Sequence, residues 1–256
     1  MPEVSREQFT KLNLMAGTAR SLEQEVLTSD DKAIWDRDFK LLCDDLRNLV
    51  DPELAADLES EKGFYDAACQ VAKGYFDNPF GGLKASTGQF GFRLINPQDF
   101  KTDAAGATPA YYSWIQTIQV GSGYTYKDYA LGASSHTAAL YVRNAANKKA
   151  VVAFHRLISY KPSPRIIQVQ FTINDYPYVP YSVEPYSKIS KENKLFKIIP
   201  MPGRVLLHPG GKFYVKLFFD NEQGESLGTG FSVDIEVAPF GLVFAQYDYL
   251  AADELA

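Results

Sequence analysis

Residues 165–173 read Arg165-Ile166-Ile167-Gln168-Val169-Gln170-Phe171-Thr172-Ile173. Ile167, Val169, Phe171 and Ile173 fall on one side of an extended chain, and Gln168, Gln170 and Thr172 fall on the other. A period of two with one apolar and one polar face is the pattern of a strand whose sheet covers a core on one side and meets water on the other. The same alternation recurs at Phe213, Val215, Leu217 and Phe219, and at Phe231, Val233, Ile235 and Val237. Between these two runs lies Asp220-Asn221-Glu222-Gln223-Gly224, a turn-rich stretch that predicts a hairpin joining them.

Working outward, further strands are expected at 112–120, 139–143, 150–159, 195–199, 204–208 and 242–249, separated by turn signals such as Asn144 to Asn147 and Pro209-Gly210-Gly211. Many short strands without intervening helices argue for two packed antiparallel sheets rather than a parallel α/β sheet. The region 111–256 is therefore expected to be an antiparallel β-sandwich, jelly-roll-like, in a chain of α+β class dominated by β.

Before Gly74 the period is different. Ser5 with Gln8 makes a capping box, and Phe9, Leu12, Met15, Ala19, Leu22 and Val26 follow at helical spacing, predicting a helix over 6–27. Thr28 to Asp31 opens a second helix to about residue 50, carrying Ile34, Trp35, Phe39, Leu42, Leu46 and Leu49. Asp51-Pro52 caps a third, ending near 61, and a fourth is expected over 64–73. Residues 1–75 thus form a helical N-terminal region. The stretch 76–110, dense in Gly and Phe, is expected to be an ordered connecting loop region whose aromatic side chains need burial.

The composition is that of a globular chain: 256 residues, 46% hydrophobic, 16 Tyr and 17 Phe. No stretch reaches the roughly 18 apolar residues of a membrane span, and the first residues lack a signal-peptide pattern, so cytoplasmic synthesis is expected. Cys43 and Cys69 show no metal-ligand spacing and read as small buried residues; no metal and no cofactor are expected.

The net charge of −5 conceals a segregation along the chain. Residues 1–75 carry 9 basic and 16 acidic side chains, residues 143–216 carry 13 and 3, and residues 217–256 carry no Lys or Arg and 8 acidic residues. Such blocks read either as a solvated surface paired across the sheets, or as a basic face that meets a polyanion, such as nucleic acid, or the acidic helices of another copy.

Catalytic patterns are missing. His136, His155 and His208 are scattered; Ser134-Ser135-His136 reads as a polar turn; and no nucleophile elbow, zincin, Walker or Rossmann glycine motif occurs. Asp220, Glu222 and Glu225 alternate like part of a calcium loop but read as a solvated turn. The most unusual feature is Tyr176 to Tyr186, where Pro177, Pro180 and Pro185 stiffen a segment holding Tyr176, Tyr178, Tyr181 and Tyr186, followed by Lys188, Lys191 and Lys194. Rigid rings next to lysines suit binding of a sugar, a partner chain or a polyanion, and equally suit covering the end of the sheets. The reading is of a structural, self-assembling, non-enzymatic protein, a virion coat or related shell subunit, in architecture similar to jelly-roll coat proteins. The alternative is a binding module that uses the tyrosine-rich segment for carbohydrate or protein.

Overall fold

The computed structural model describes residues 27–96, 99–102, 115–120, 126–128, 140–142, 144–145, 148–159, 166–174, 176–183, 197–219 and 231–251. The helix expected over 6–27 lies outside the described residues. The next three form as read: α1 (Ser29–Leu49), α2 (Pro52–Ser60) and α3 (Lys62–Lys73). The Thr28 side chain accepts from the Asp31 amide, and Asp51 accepts from the Glu53 and Leu54 amides with Pro52 in the first turn, so both starts are satisfied by the capping residues that the sequence places there.

Fourteen strands are described, arranged in two sheets: β1 (Phe80–Gly82), β2 (Phe90–Leu94), β3 (Phe100–Thr102), β4 (Ile115–Val120), β5 (Tyr126–Asp128), β6 (Leu140–Val142), β7 (Asn144–Ala145), β8 (Lys148–Ser159), β9 (Ile166–Ile173), β10 (Tyr176–Pro177), β11 (Tyr181–Ser182), β12 (Lys197–Leu207), β13 (Lys212–Phe219) and β14 (Phe231–Gln246). A last helical turn, α4, covers Tyr247–Leu250. The first sheet runs β1-β2-β14-β8-β12, with β4 also on β14 and β7 on β8; the second runs β10-β9-β13-β6-β3, with β11 on β9 and β5 on β13. Pairing is antiparallel except for the parallel β1–β2 pair. The molecule is thus helices plus mixed and antiparallel sheets.

Four features differ from the sequence reading. The strands expected at 195–199 and 204–208 are one strand, β12. The stretch expected to be connecting loop supplies β1, β2 and β3, and its aromatics Phe80, Phe90 and Phe92 are buried. The segment 242–249 is the end of the long β14 followed by α4, not a separate strand. The hairpin expected across 220–224 does not form: β13 lies in the second sheet and β14 in the first. Alternation specifies which face is apolar but not which neighbour a strand takes. β14 is apolar on both faces from Val237 to Ala245, which suits the interior of a sheet covered on both sides.

That double cover organises the core. Ala150, Val152, Phe154, Val243 and Ala245 of the first sheet share one cluster with Val169, Phe171, Phe213 and Val215 of the second. Phe154 meets Phe213 edge-on at 4.8 Å between ring centroids. The alternate residues Val151, Ala153, Leu242 and Phe244 face the helices, where Trp35, Phe39, Leu54, Leu58 and Tyr65 close a second cluster. The helical region therefore packs on its own first sheet. Cys43 and Cys69 are buried in this helical cluster, as their lack of ligand spacing suggested. No helix among the described residues is long and apolar enough to cross a membrane.

Candidate functional site

The centre of β8 breaks its own pattern at His155. Phe154 pairs with Gly241 and Val205, and Arg156 pairs with Phe240 and Pro200, which leaves His155 without an opposite residue on either neighbouring strand. A bulge of this kind re-aims side chains. Phe154 and Leu157 both join the core between the sheets, while His155 and the Arg156 guanidinium both reach toward α2. Gly241 is required opposite the bulge, because a Cβ there would lie 2.1 Å from the Ala153 carbonyl oxygen and 2.5 Å from the Phe154 Cα.

His155 is fully buried, and both of its ring nitrogens are engaged. Nε2 lies 2.7 Å from Oδ2 of Asp57 on α2, and Nδ1 lies 2.6 Å from the hydroxyl of Tyr65 on α3. Arg156 Nη2 stands 3.3 Å from the other Asp57 oxygen. Burial works to raise the Asp57 carboxyl, but the hydrogen bond and charge of His155 and then of Arg156 outweigh it and hold the group below the usual carboxylate range. Burial, reinforced by the nearby Asp57 and Glu61 charges, pushes the fully enclosed Tyr65 phenol well above its ordinary value. An ionised Asp57 only accepts, so the Nε2–H of His155 donates to it; in the neutral ring Nδ1 then accepts from the Tyr65 hydroxyl, and in the charged ring it donates to that oxygen. Beside this chain, the Arg204 guanidinium, from the stretch of β12 that bulges opposite His155, pairs with Glu61 between α2 and α3.

An aspartate that orients an imidazole, which in turn takes a hydroxyl proton, is the connectivity of a general-base relay. In this molecule the hydroxyl end is sealed, since Tyr65 packs against Phe39 and Phe64 and has no exposed surface. What the arrangement does is fix α2 and α3 to the bulge of β8 through directional bonds inside an otherwise apolar layer.

Two further polar clusters join residues of the first sheet to segments beside it. Asp99 is fully buried and accepts from both terminal nitrogens of Arg93 at 2.9 Å, from the Asn96 amide at 2.8 Å and from the Tyr249 hydroxyl at 2.9 Å. Burial pushes its carboxyl up against the opposing pull of those donors. His208, at the turn after β12, lies 2.9 Å from the Tyr75 hydroxyl through Nδ1, and burial lowers its basicity. The Cys43 thiol is pushed up to about 12 by burial, which removes thiolate character at neutral pH. Among the described residues no group of three or more His, Cys, Asp or Glu side chains could hold a metal ion.

The tyrosine-rich segment is stitched along the outer edge of β9. Tyr176 and Pro177 pair with Ile173 and Thr172, and Tyr181 and Ser182 pair with Val169 and Gln168. Between them the Tyr178 amide donates to the Phe171 carbonyl at 2.8 Å, and the Gln170 side chain donates to the Tyr178 carbonyl at 2.9 Å. Tyr178 and Tyr181 turn toward the core between the sheets, where Tyr181 stacks on Phe171 at 5.9 Å and burial raises its phenol. Tyr176 and Val179 face outward, 68% and 75% exposed. Tyr186, Lys188, Lys191 and Lys194 lie outside the described residues, as do His136, Asp220, Glu222 and Glu225.

Asp57, Tyr65 and Asp99 are the residues that reading the sequence missed. A signal existed for the first: Asp57 lies three residues after Leu54 and four before Glu61, so carboxylates sit on the same helical stripe as apolar residues.

No protein-family model matches the chain, and no curated protein matches it. Among solved structures it is similar to the GH26-CBM35 β-(1,4)-mannanase of Podospora anserina, with a TM-score of 0.25 at 10% identity over 60% of this chain and 27% of that one. It is also similar to a Paenibacillus cycloisomaltooligosaccharide glucanotransferase, with a TM-score of 0.21 at 13% identity over 59% and 18%, respectively. A CBM36-1 domain of a multidomain xylanase from the hindgut metagenome of Trinervitermes trinervoides aligns with a TM-score of 0.19 at 7% identity, over 60% of this chain and 94% of that domain. The chain thus spans about a quarter of the mannanase and less than a fifth of the glucanotransferase.

Proposed function

We propose that this chain is a structural subunit that works by contact with other copies of itself, as a shell or coat protein does, on a two-sheet β-sandwich of jelly-roll kind with its helices packed outside the first sheet. The observation that carries the reading is where large apolar side chains meet water. Leu49 is 81% exposed and Val50 64% at the end of α1, and Tyr176 and Val179 project from the β9 edge. Single exposed apolar residues need no explanation, but exposed pairs are what subunit contacts use. The ionisable groups of the His155 network are, by contrast, turned inward to each other.

Light scattering across a range of protein concentrations at low and high salt tests this. A mass that rises with concentration, and changes with salt because the chain's charges are segregated, is expected. A strictly monomeric species under every condition overturns the reading. The second reading, a binding module, draws on the outward Tyr176 ring held on a pinned edge. It expects retention on a glycan or protein array that Tyr176→Ala abolishes while the fold persists. Binding of a polyanion by the basic 143–216 region would appear as heparin affinity that falls steeply with salt.

A further inference from the structure

The strand β9 reads Ile166-Ile167-Gln168-Val169-Gln170-Phe171-Thr172-Ile173, with no charge, no Pro and no Gly, and all but its two glutamines are β-branched or aromatic. That is the composition from which stacked strands of separate chains are built. β13, its neighbour inside the sheet, alternates in the same way but carries Lys212 and Lys216. β12, which ends the first sheet among the described residues, holds Lys197, Pro200, Pro202 and Arg204 in its own sequence. Charge and proline within a strand blunt an edge against further pairing. β9 has neither, and its nearest charges, Arg165 and Asp175, stand just outside its two ends in the sequence, where gatekeepers flank an aggregation-prone strand.

The chain that follows β9 closes its open side. Tyr176 to Ser182 runs back along β9 on the side away from β13, and its seven residues lie against the six of 168–173. Three strap residues, 178–180, therefore stand opposite two, Phe171 and Gln170, and the extra one makes a bulge that disrupts the ladder a further strand would need. Within the bulge the Tyr178 amide still closes the Phe171 carbonyl. Tyr178 and Tyr181 anchor the strap by packing against the core between the sheets, and Val183 just beyond it is buried there. Outward it shows Pro177 and Pro180, both exposed, which have no N–H to offer a neighbour.

We propose that residues 176–182 are an edge guard: a proline-stiffened, bulged strap that occupies the open side of β9 and keeps a second chain from adding a strand to the second sheet. The strap supplies from the next stretch of chain the protection that β12 carries in its own residues. When it opens, β9 remains paired to β13 and presents an uncharged edge, which is the state the guard prevents. The role concerns pairing at one sheet edge and holds whether or not folded copies associate through other surfaces.

Tyr178→Ser combined with Tyr181→Ser removes the two rings that anchor the strap. With cooperative melting retained, growth of thioflavin T-positive aggregate is expected to be at least tenfold faster than in the parent, and at least tenfold faster than in Leu58→Ala, which weakens the helical layer without touching the strap. Adding Thr172→Lys to the tyrosine pair puts a charge on the wet face of β9 and is expected to return growth to the parent rate. Pro177→Thr combined with Pro180→Thr restores two N–H groups at exposed positions and is expected to speed growth severalfold. A tyrosine pair that grows no faster than Leu58→Ala, or whose growth Thr172→Lys leaves unslowed, overturns the guard. Where the tyrosine pair does not melt cooperatively, the proline pair decides: folded protein that grows at the parent rate overturns the proposal. Light scattering that rises without thioflavin T signal reports association of folded copies instead, so the guard and the self-assembly reading fail separately.

Discussion

The central strands of the first sheet, β8 with 12 residues and β14 with 16, are longer than the 8-residue β9 and β13 of the second, and their stretches 150–154 and 237–245 are apolar on both faces while β9 alternates. Val151, Ala153, Leu242 and Phe244 press on the helices, and Ala150, Val152, Val243 and Ala245 press on the second sheet. β9 has Val169, Phe171 and Ile173 inside and Gln168, Gln170 and Thr172 half-exposed. One helical layer is the whole difference: it converts what would be a wet face into a second core, and a polar group placed there must bring its own partners. The sharpest way to break the contrast is one charge on each sheet. Ala153→Asp places an unpartnered carboxylate between the first sheet and the helices and is expected to cost several kcal/mol, about enough to abolish cooperative folding. Gln170→Asp on β9 is expected to cost about 1 kcal/mol, chiefly the lost bond to Tyr178. Urea melts followed by circular dichroism read both. Equal losses would mean that the helices do not seal the first sheet.

The His155 network shows how that sealed layer admits polarity. Asp57→Ala leaves the His155 Nε2–H and one side of Arg156 without their acceptor, and about 1–3 kcal/mol of stability is expected to go with it. His155→Phe combined with Asp57→Ala should lose less than the two single losses added, because neither residue is then left seeking the other. A double-mutant cycle in urea measures the coupling, and strict additivity would dissolve the network.

A smaller effect follows from acid. The folded Asp57 carboxyl titrates below its unfolded value of about 3.9, so its contribution is fully present above that value and is lost as pH falls through the lower folded one. Melting temperature should therefore fall more steeply below about pH 4 in the parent than in Asp57→Asn. A difference that grows toward neutral pH instead would place the effect on another group.

How much of this was legible in the sequence divides along the same line. The capping residues Thr28 and Asp51, the helix stripes and the β9 alternation all act through neighbours a few residues away, and they are read from spacing alone. The run Ala150 to Ile158 announces burial on both faces but not what covers them, so a helical region that packs on its own sheet could not be told from one that packs elsewhere. The expected hairpin failed for the same reason: β13 and β14 each present a good apolar face, and the choice of partner is set by long-range packing of β14 between β2 and β8. The network was invisible because Asp57 and His155 are 98 residues apart, and Tyr65 and His155 are 90 apart.

The smallest expected effect sharpens the wet side of the comparison. On β9, the outward residue Gln170 holds the tyrosine segment by a side-chain bond to the Tyr178 carbonyl, and two residue pairs on each flank hold the same segment. With that redundancy, Gln170→Ala is expected to cost under about 1 kcal/mol globally. Locally it should show more, because the Tyr178 carbonyl loses the Gln170 donor between the two paired stretches. Amide exchange at Tyr178 and Val179 is expected to quicken severalfold while exchange along β13 remains unchanged, since opening of the segment needs no opening of the sheet behind it. Were β13 to quicken equally, the tyrosine segment would be part of the sheet's cooperative unit, and its pinned edge would be a core element rather than a surface fixture.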